Sequence, residues 1–585
     1  MKKLLIGNEA VARGLYEGGI NLVSSYPGTP STEITEFLSK YDDIHSEWAP
    51  NEKVALETAF GASLSGARAA CAMKHVGLNV AADPLFTLSY TGVNGGLVIC
   101  VADDPAMHSS QNEQDSRRYA IASKVPMLEP SDSAECYEFS KAAFDLSEKF
   151  DTPVILRTCT RVAHSQSIVE IADRTEIPKK PYVKNTAKFT MIPANAVKRH
   201  AVVEERTARL VEFAENCPFN RVERAKTDSN VGIITSGTSY EYVKEVFGDT
   251  VNVLKIGMPN PLPNKLITDF ANSVKTLYVI EELEPIIEEH CRFLGLDPIG
   301  KKLFSIRGEF SQETIAKAFG LPEKEKISAD SVTPARPPML CAGCPHRGIF
   351  YVLAKNKITV LGDIGCYTLG AQPPLSSIDS TLCMGASVSG IHGFLLSSDK
   401  ETAKKTVAVV GDSTFIHSGV TGLINIAYNG SPSTVIILDN SITGMTGHQQ
   451  NPTTGLNIKG DPAGKVDLES LCRSVGIARV RVVDPYDLKA CETAIKEELA
   501  ADEPSVIISR RPCVLLKTVK AKPSLKVNAE KCRTCKKCMS LGCPAVSIKN
   551  GKARIDGTLC VGCGVCASLC PFGAIEKPEE GGMAQ

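Results

Sequence analysis

With 585 residues the chain is long enough for about four domains. Its 65 basic and 66 acidic residues offer no field for nucleic acid or an anionic membrane, and 43% hydrophobic with 22% charged residues is the balance of an ordinary soluble globular protein. The N-terminus, Met1-Lys2-Lys3-Leu4-Leu5-Ile6-Gly7-Asn8-Glu9, becomes charged too soon for a secretory leader and no apolar run approaches a membrane span, so the expected location is the cytoplasm, where 21 cysteines favour metal over disulfides.

From Met1 to Lys180, short apolar runs (Asn21 to Ser24, Ala70 to Met73, Leu97 to Val101, Val154 to Leu156) alternate with helical patterns, which predicts a parallel sheet covered on both faces. Cys71, Cys100 and Cys159 sit inside apolar stretches and read as buried small hydrophobes. Residues 181–228 are basic, show no strong period and read as an irregular crossing segment, and a second α/β block with strands at Val231 to Ile234 and Leu277 to Ile280 ends near Leu321. Residues 322–338 are charged, then proline-containing, and mark a linker. A third α/β block covers 339–520, with strands at Thr406 to Val410, Thr434 to Leu438 and Ser505 to Ser509, and a cysteine-rich module closes the chain over 521–585.

That module carries two runs, Cys532, Cys535, Cys538, Cys543-Pro544 and Cys560, Cys563, Cys566, Cys570-Pro571. In such pairs three thiolates of one run hold one face of a cubane while the distant cysteine of each run crosses to the other cluster. The expected ligand sets are therefore Cys532, Cys535, Cys538 and Cys570 for one [4Fe-4S] cluster, and Cys543, Cys560, Cys563 and Cys566 for the second. Cys543 comes one residue late, after four intervening residues instead of three, which leaves the loop before it unexplained. Zinc is the competitor, because paired C-x-x-C also builds tetrahedral sites, yet it has no use for this eight-thiolate symmetry. Clusters of this kind move single electrons at low potential.

In the third block one strand runs into Gly411-Asp412-Ser413 and a later strand into Asp439-Asn440-Ser441-Ile442. Ligands of open parallel sheets bind beyond the carboxyl ends of the strands. The Asp412 carboxylate, the Asn440 side-chain carbonyl and a backbone carbonyl near Ile442 are hard oxygen donors suited to magnesium, which takes its remaining ligands from phosphate. The arrangement resembles a thiamine diphosphate motif, with Ser413 in place of its final glycine and Asp439 in place of its first asparagine. That resemblance implies a carboxylate for the cofactor's aminopyrimidine, for which Glu52, at the start of a helix rich in small residues, is the candidate and Glu57 the alternative. It also implies an apolar wedge between the cofactor's rings, for which Met384, before Gly385, is the candidate, an ordinary buried methionine being the competing reading.

Further motifs follow in order: Cys341-Ala342-Gly343-Cys344-Pro345-His346, Gly362-Asp363-Ile364-Gly365-Cys366, Met445-Thr446-Gly447-His448-Gln449, Pro452-Thr453-Thr454 and Arg511-Pro512-Cys513, with Ser25-Tyr26-Pro27-Gly28-Thr29-Pro30 and Ala102-Asp103-Asp104-Pro105-Ala106-Met107-His108-Ser109 near the N-terminus. Nearly the whole chain resembles the 2-oxoacid:ferredoxin oxidoreductase family, most closely its arylpyruvate-oxidising large subunits. The resemblance implies an α/β fold with a pyrimidine-binding thiamine-type domain (1–180), a transketolase C-terminal-like domain following the crossing segment (181–321), a diphosphate- and Mg2+-binding thiamine-type domain (339–520) and a two-cluster ferredoxin-like α+β module (521–585). It implies a third [4Fe-4S] cluster on Cys341, Cys344, Cys366 and Cys513, and substrate contacts from Thr29, with His108, Ser109 and Arg117 as neighbours. The implied reaction is oxidative decarboxylation of an arylpyruvate with coenzyme A and reduction of ferredoxin. A domain of the larger oxidoreductases is missing, which implies a separate small beta subunit and a heterotetramer of two alpha-beta pairs. Other 2-oxoacids, a non-oxidative thiamine decarboxylase and a non-enzymatic electron-transfer subunit are the alternatives.

Overall fold

The structure is a computed structural model that describes residues 1–322 and 337–578. Apart from its ends, the linker expected at 322–338 lies outside the described residues, as does the chain beyond 578. The protein divides into two compact units, Met1–Ala329 and Asp330–Gln585.

The first unit is built on a six-stranded, all-parallel sheet in the order His45–Trp48, Leu22–Ser25, Ala69–Lys74, Leu97–Asp103, Val154–Cys159, Met127–Leu128. Alternate residues feed opposite faces: Ala70, Ala72, Val98 and Cys100 join one core, while Ala69, Cys71, Met73, Leu97, Ile99 and Val101 join the other. Burial on both faces is why these strands read as unbroken apolar runs, and each Val, Ile or Leu so placed contributes about 1.5–3 kcal/mol of transfer free energy. Cys71, Cys100 and Cys159 are buried, as expected.

Residues 181–228 depart from expectation. They contain the 23-residue helix Pro193–Glu215, and then Arg221–Glu223, which pairs antiparallel with Asn252–Ile256 at the edge of a second, four-stranded sheet. The helix buries only Val203, Arg206, Leu210 and Ala214. That stripe is too narrow, and too interrupted by Arg206, to stand out as an apolar period. Arg206 donates to the carbonyls of Ser89 and Asp151, so its charge is held by backbone oxygen. The remaining strands of the second sheet, Val231–Ser236 and Thr276–Ile280, lie parallel to Asn252–Ile256.

The second unit holds a five-stranded parallel sheet in the order Thr359–Leu361, Thr406–Gly411, Thr434–Asp439, Ser505–Arg510, Arg479–Val483. It too is buried on both faces, by Val407, Val409, Ile436 and Ile507 on one and Ala408, Val410, Val435 and Ile508 on the other. The cysteine module adds two small antiparallel pairs, Lys526–Val527 with Ile575–Glu576 and Val546–Lys549 with Lys552–Ile555. Among the described residues no helix is long and apolar enough to cross a membrane.

Candidate active site

In the second unit the strand Thr406–Gly411 delivers Asp412 and the neighbouring strand Thr434–Asp439 delivers Asn440 at the same end of the sheet. Asp412 is 2% exposed; its carboxylate accepts from the Ser413 amide (2.9 Å) and the Thr453 hydroxyl (3.2 Å). Burial, with the Asp439 carboxylate nearby, pushes its pKa up to about 7. The terminal oxygen of the Asn440 side chain stands 2.7 Å from the Ile442 carbonyl oxygen and 3.3 Å from Asp412 Oδ1. Rotating the amide turns both contacts into hydrogen bonds, whereas a divalent cation would take the oxygens as they stand, with the Asn440 amide nitrogen directed at His346 Nε2 (3.4 Å). Burial pushes the His346 pKa down to about 4, so the ring is neutral and can accept. The residue set Asp412, Asn440 and Ile442 therefore fits a hard cation of the magnesium type.

Both departures from the thiamine motif are accommodated. Asp439 is paired with Arg510 at 2.8 Å on the adjacent strand, and the Ser413 hydroxyl accepts from Thr443 (2.9 Å). The helix opened by Asp412–Thr414 passes through a π turn, Phe415–Gly419, before continuing as Val420–Asn429; such turns recur at functional sites. Gly411 has no room for a side chain, since a Cβ would stand 2.7 Å from the Tyr367 ring.

Half-buried Met384 precedes Gly385, whose φ of +85° and closeness to Ser418 suit only glycine. Asp363 fixes this turn by accepting from the Gly385 amide (2.9 Å) and the Ser387 amide (3.0 Å). Sequence reasoning gave Asp363 no role; its signal was a second Gly-Asp at a strand end.

Cys341, Cys344, Cys366 and Cys513 lie together. Burial raises the thiol pKa values of Cys344 to about 12 and of Cys366 to about 11; Cys341 and Cys366 add to the first, Cys513 and Cys341 to the second. Cys366 Sγ lies 3.4 Å from where a Cβ on Gly444 would stand, which places it against the metal-site loop. In the module, Cys532, Cys535, Cys538 and Cys570 wall one cavity, with Phe572 and Ile548. Cys543, Cys560, Cys563 and Cys566 wall a second, which Ala342 and Gly343 of the Cys341 loop also line. Cys543 thus lies with Cys560, Cys563 and Cys566, and Cys570 with Cys532, Cys535 and Cys538. Main-chain amides of Gly562 and Ala574 point at Cys560 Sγ (3.5 Å) and Cys570 Sγ (3.3 Å), as they do toward cluster sulfurs. Among the described residues no three His, Cys, Asp or Glu side chains converge on one metal-ion position; the two cysteine sets of the module line cavities.

In the first unit, Glu52 begins the helix Glu52–Leu64, capped by Asn51, and is 4% exposed. A Cβ on Gly77 would meet its Oε1 at 2.6 Å. Glu57, the alternative, is exposed and paired with Lys53. Lys74 closes the strand Ala69–Lys74, packs over Gly28, and donates to the Ser109 carbonyl (2.8 Å); the Ser109 hydroxyl reaches the Thr29 carbonyl (3.3 Å). Burial pushes the Lys74 pKa down to about 8 against the pull of Asp104 and Glu52. The sequence reading missed Lys74, although a lysine ending an otherwise apolar strand was visible. His108 pairs with Glu309 (3.2 Å). Arg117 is a correction: it is 1% exposed and its guanidinium is taken up by Asp115 and Glu281, both at 2.6 Å, and by the carbonyls of Glu282 and Glu284. It ties the two sheets of this unit together and has no face left for substrate.

The chain is similar to known proteins along nearly its whole length. Residues 13–224 match the family described as pyruvate flavodoxin/ferredoxin oxidoreductase, thiamine diphosphate-binding; 363–509 match the thiamine pyrophosphate enzyme C-terminal binding domain; 553–576 match a 4Fe-4S binding domain. The protein named indolepyruvate oxidoreductase subunit IorA is 40% identical in Pyrococcus horikoshii and 42% in Thermococcus kodakarensis, each alignment covering 99% of this chain and 97% of the relative. The chain belongs to the indolepyruvate oxidoreductase subunit IorA family. A solved 2-oxoglutarate:ferredoxin oxidoreductase from Magnetococcus marinus overlaps 55% of this chain and 65% of its own, at 21% identity and a TM-score of 0.48. Within the IorA family, the thiamine diphosphate-binding and 4Fe-4S assignments fall on the segments that carry Asp412, Cys366 and the second cysteine run.

Proposed function

We propose that this chain is the large subunit of an enzyme that converts an arylpyruvate such as indolepyruvate, with coenzyme A and two oxidised ferredoxins, to the aryl-acetyl thioester, carbon dioxide, a proton and two reduced ferredoxins. The observation that carries the proposal is the placement of Cys366 and Cys513 against the loop of Asn440, beside a buried oxygen set that fits Mg2+. Bound thiamine diphosphate would supply the electron sink for cleavage of the carbon-carbon bond. Asp412, Asn440 and the Ile442 carbonyl would hold the diphosphate through Mg2+, with Gly411 and Ser413 flanking it and Met384 shaping the cofactor. Glu52 would hold and exchange a proton with the aminopyrimidine. Lys74 would meet the substrate carboxylate, positioned by Ser109 beside Thr29 and with His108 on the same loop. Electrons would leave through three [4Fe-4S] clusters held by the Cys341, Cys543 and Cys532 sets in that order, the Cys341 loop forming part of the wall of the second.

The same reading makes the middle block transketolase C-terminal-like, keeps the domain limits expected from sequence, and calls for a small beta subunit, in a tetramer of two alpha-beta pairs in the cytoplasm. The test is anaerobic co-expression with the small subunit, followed by assay of indolepyruvate, phenylpyruvate, pyruvate and 2-oxoglutarate with coenzyme A and ferredoxin. Thioester formation matched by ferredoxin reduction, with arylpyruvates preferred, is expected. Aldehyde release without ferredoxin reduction would overturn it.

A further inference from the structure

The extra residue before Cys543 has a counterpart in the catalytic domain. The turn Lys537–Leu541 ends on Gly542, which has a φ of +65° and lies so close to Pro374 that a Cβ would meet its Cδ at 2.8 Å and the Arg347 guanidinium at 3.3 Å. The carbonyls of Leu541 and Gly542 both accept from Arg347 Nη1, at 3.1 and 2.6 Å. On its other edge the same guanidinium donates through Nε to the carbonyl of Cys341 (3.0 Å) and through Nη2 to that of Leu340. Arg347 is the second residue of the helix His346–Lys355 and is 4% exposed. These four hydrogen bonds all end on main-chain carbonyls.

A buried guanidinium held by carbonyls alone is costly unless negative charge lies close by. The carbonyls that hold it belong to, or adjoin, two different cysteine sets: Cys341 accepts from it directly, and Gly542 immediately precedes Cys543. We propose that Arg347 is a positioning residue for electron transfer, clamping the Cys341 loop to the carbonyls exposed by the extra residue before Cys543 and supplying positive charge to the clusters on both sides. The inference rests on the functional reading above, in that it needs clusters in both sets. Positive charge beside a cluster stabilises its reduced, more negative form and raises its potential. No residue of the Cys532 set accepts a hydrogen bond from Arg347, so the effect there should be smaller.

The test is reductive titration of the loaded protein followed by electron paramagnetic resonance. In Arg347→Gln with wild-type iron content, the signals of the Cys341 and Cys543 sets are expected to move to lower potential and that of the Cys532 set to move less. Arg347→Lys, which keeps the charge, should lie closer to wild type. Three unchanged potentials, or an equal shift of all three, would overturn the proposal. If Arg347→Gln loses iron, Arg347→Lys decides: restored iron with near-native potentials supports the role of charge, and continued loss makes Arg347 a structural bolt and overturns it. Wild-type protein lacking clusters in these sets would instead overturn the functional reading, before any variant is compared.

Discussion

The main-chain amide of Cys513 donates to the carbonyl of Asn440 across 2.9 Å. One candidate cluster ligand thus hangs on the residue whose side chain faces the Asp412 carboxylate, and the Cys513 thiol lies 3.8 Å from His448 Nε2. A displacement of the loop after Thr434–Asp439 would be felt at both places, so the proposed cofactor site and the proposed cluster of the Cys341 set share a support.

Replacing Cys513 by Ala should cost about one third of the iron, one cubane of three. The two module clusters should keep their signals and thiamine diphosphate should still bind. Iron analysis with ligand titration checks this, and unchanged iron would remove Cys513 from the ligand set.

Asp412→Ala should weaken Mg2+-dependent binding of thiamine diphosphate by roughly 100-fold or more, since even outer partners of metal ligands cost about 10- to 100-fold. Iron content should not change. Calorimetry with and without Mg2+ provides the measurement.

Glu52→Gln should lower turnover by about 10²- to 10⁴-fold, the usual contribution of a positioned proton-transfer group, with cofactor binding and iron retained. Gly77→Ala should act in the same direction, because its methyl group would stand 2.6 Å from Glu52 Oε1. Steady-state kinetics on both variants tests the pair.

Lys74 gives the pH dependence a sign. Its ammonium, depressed to about 8 by burial, loses its proton as pH rises through that value. Asp104 and Glu52 pull the other way, and buried His75 lies beside it. The attraction for a substrate carboxylate is full below pH 8 and lost above it, so kcat/KM should fall above about pH 8. Bound carboxylate holds the proton on, so kcat should stay level to higher pH. Lys74→Met should raise KM roughly 10- to 100-fold, the worth of a hydrogen bond to a charged group, and abolish the alkaline limb. A limb that persists in this variant belongs to another group.

Much of this was legible from sequence because its causes are local. Strands buried on both faces announce themselves as apolar runs, and Asp412, Asn440 and the paired cysteine runs follow from spacing along one chain. What escaped depends on tertiary contact. The helix Pro193–Glu215 buries a stripe broken by an arginine. Arg117 looked available beside a polar loop until Asp115 and Glu281 closed around it. Lys74 and Arg347 gain meaning only from burial: the first beside Glu52 and Asp104, the second between two cysteine sets that spacing describes as separate.

The central claim is that carbon-carbon cleavage discharges electrons singly into iron-sulfur clusters held by this chain. Its most direct test is to mix the anaerobic holoenzyme with indolepyruvate and coenzyme A, without ferredoxin, and freeze it on the millisecond scale for electron paramagnetic resonance. The account predicts reduced-cluster signals that appear with substrate, require thiamine diphosphate and Mg2+, and vanish in Glu52→Gln. Clusters that stay oxidised while carbon dioxide is released, or that are reduced equally without thiamine diphosphate, would contradict it.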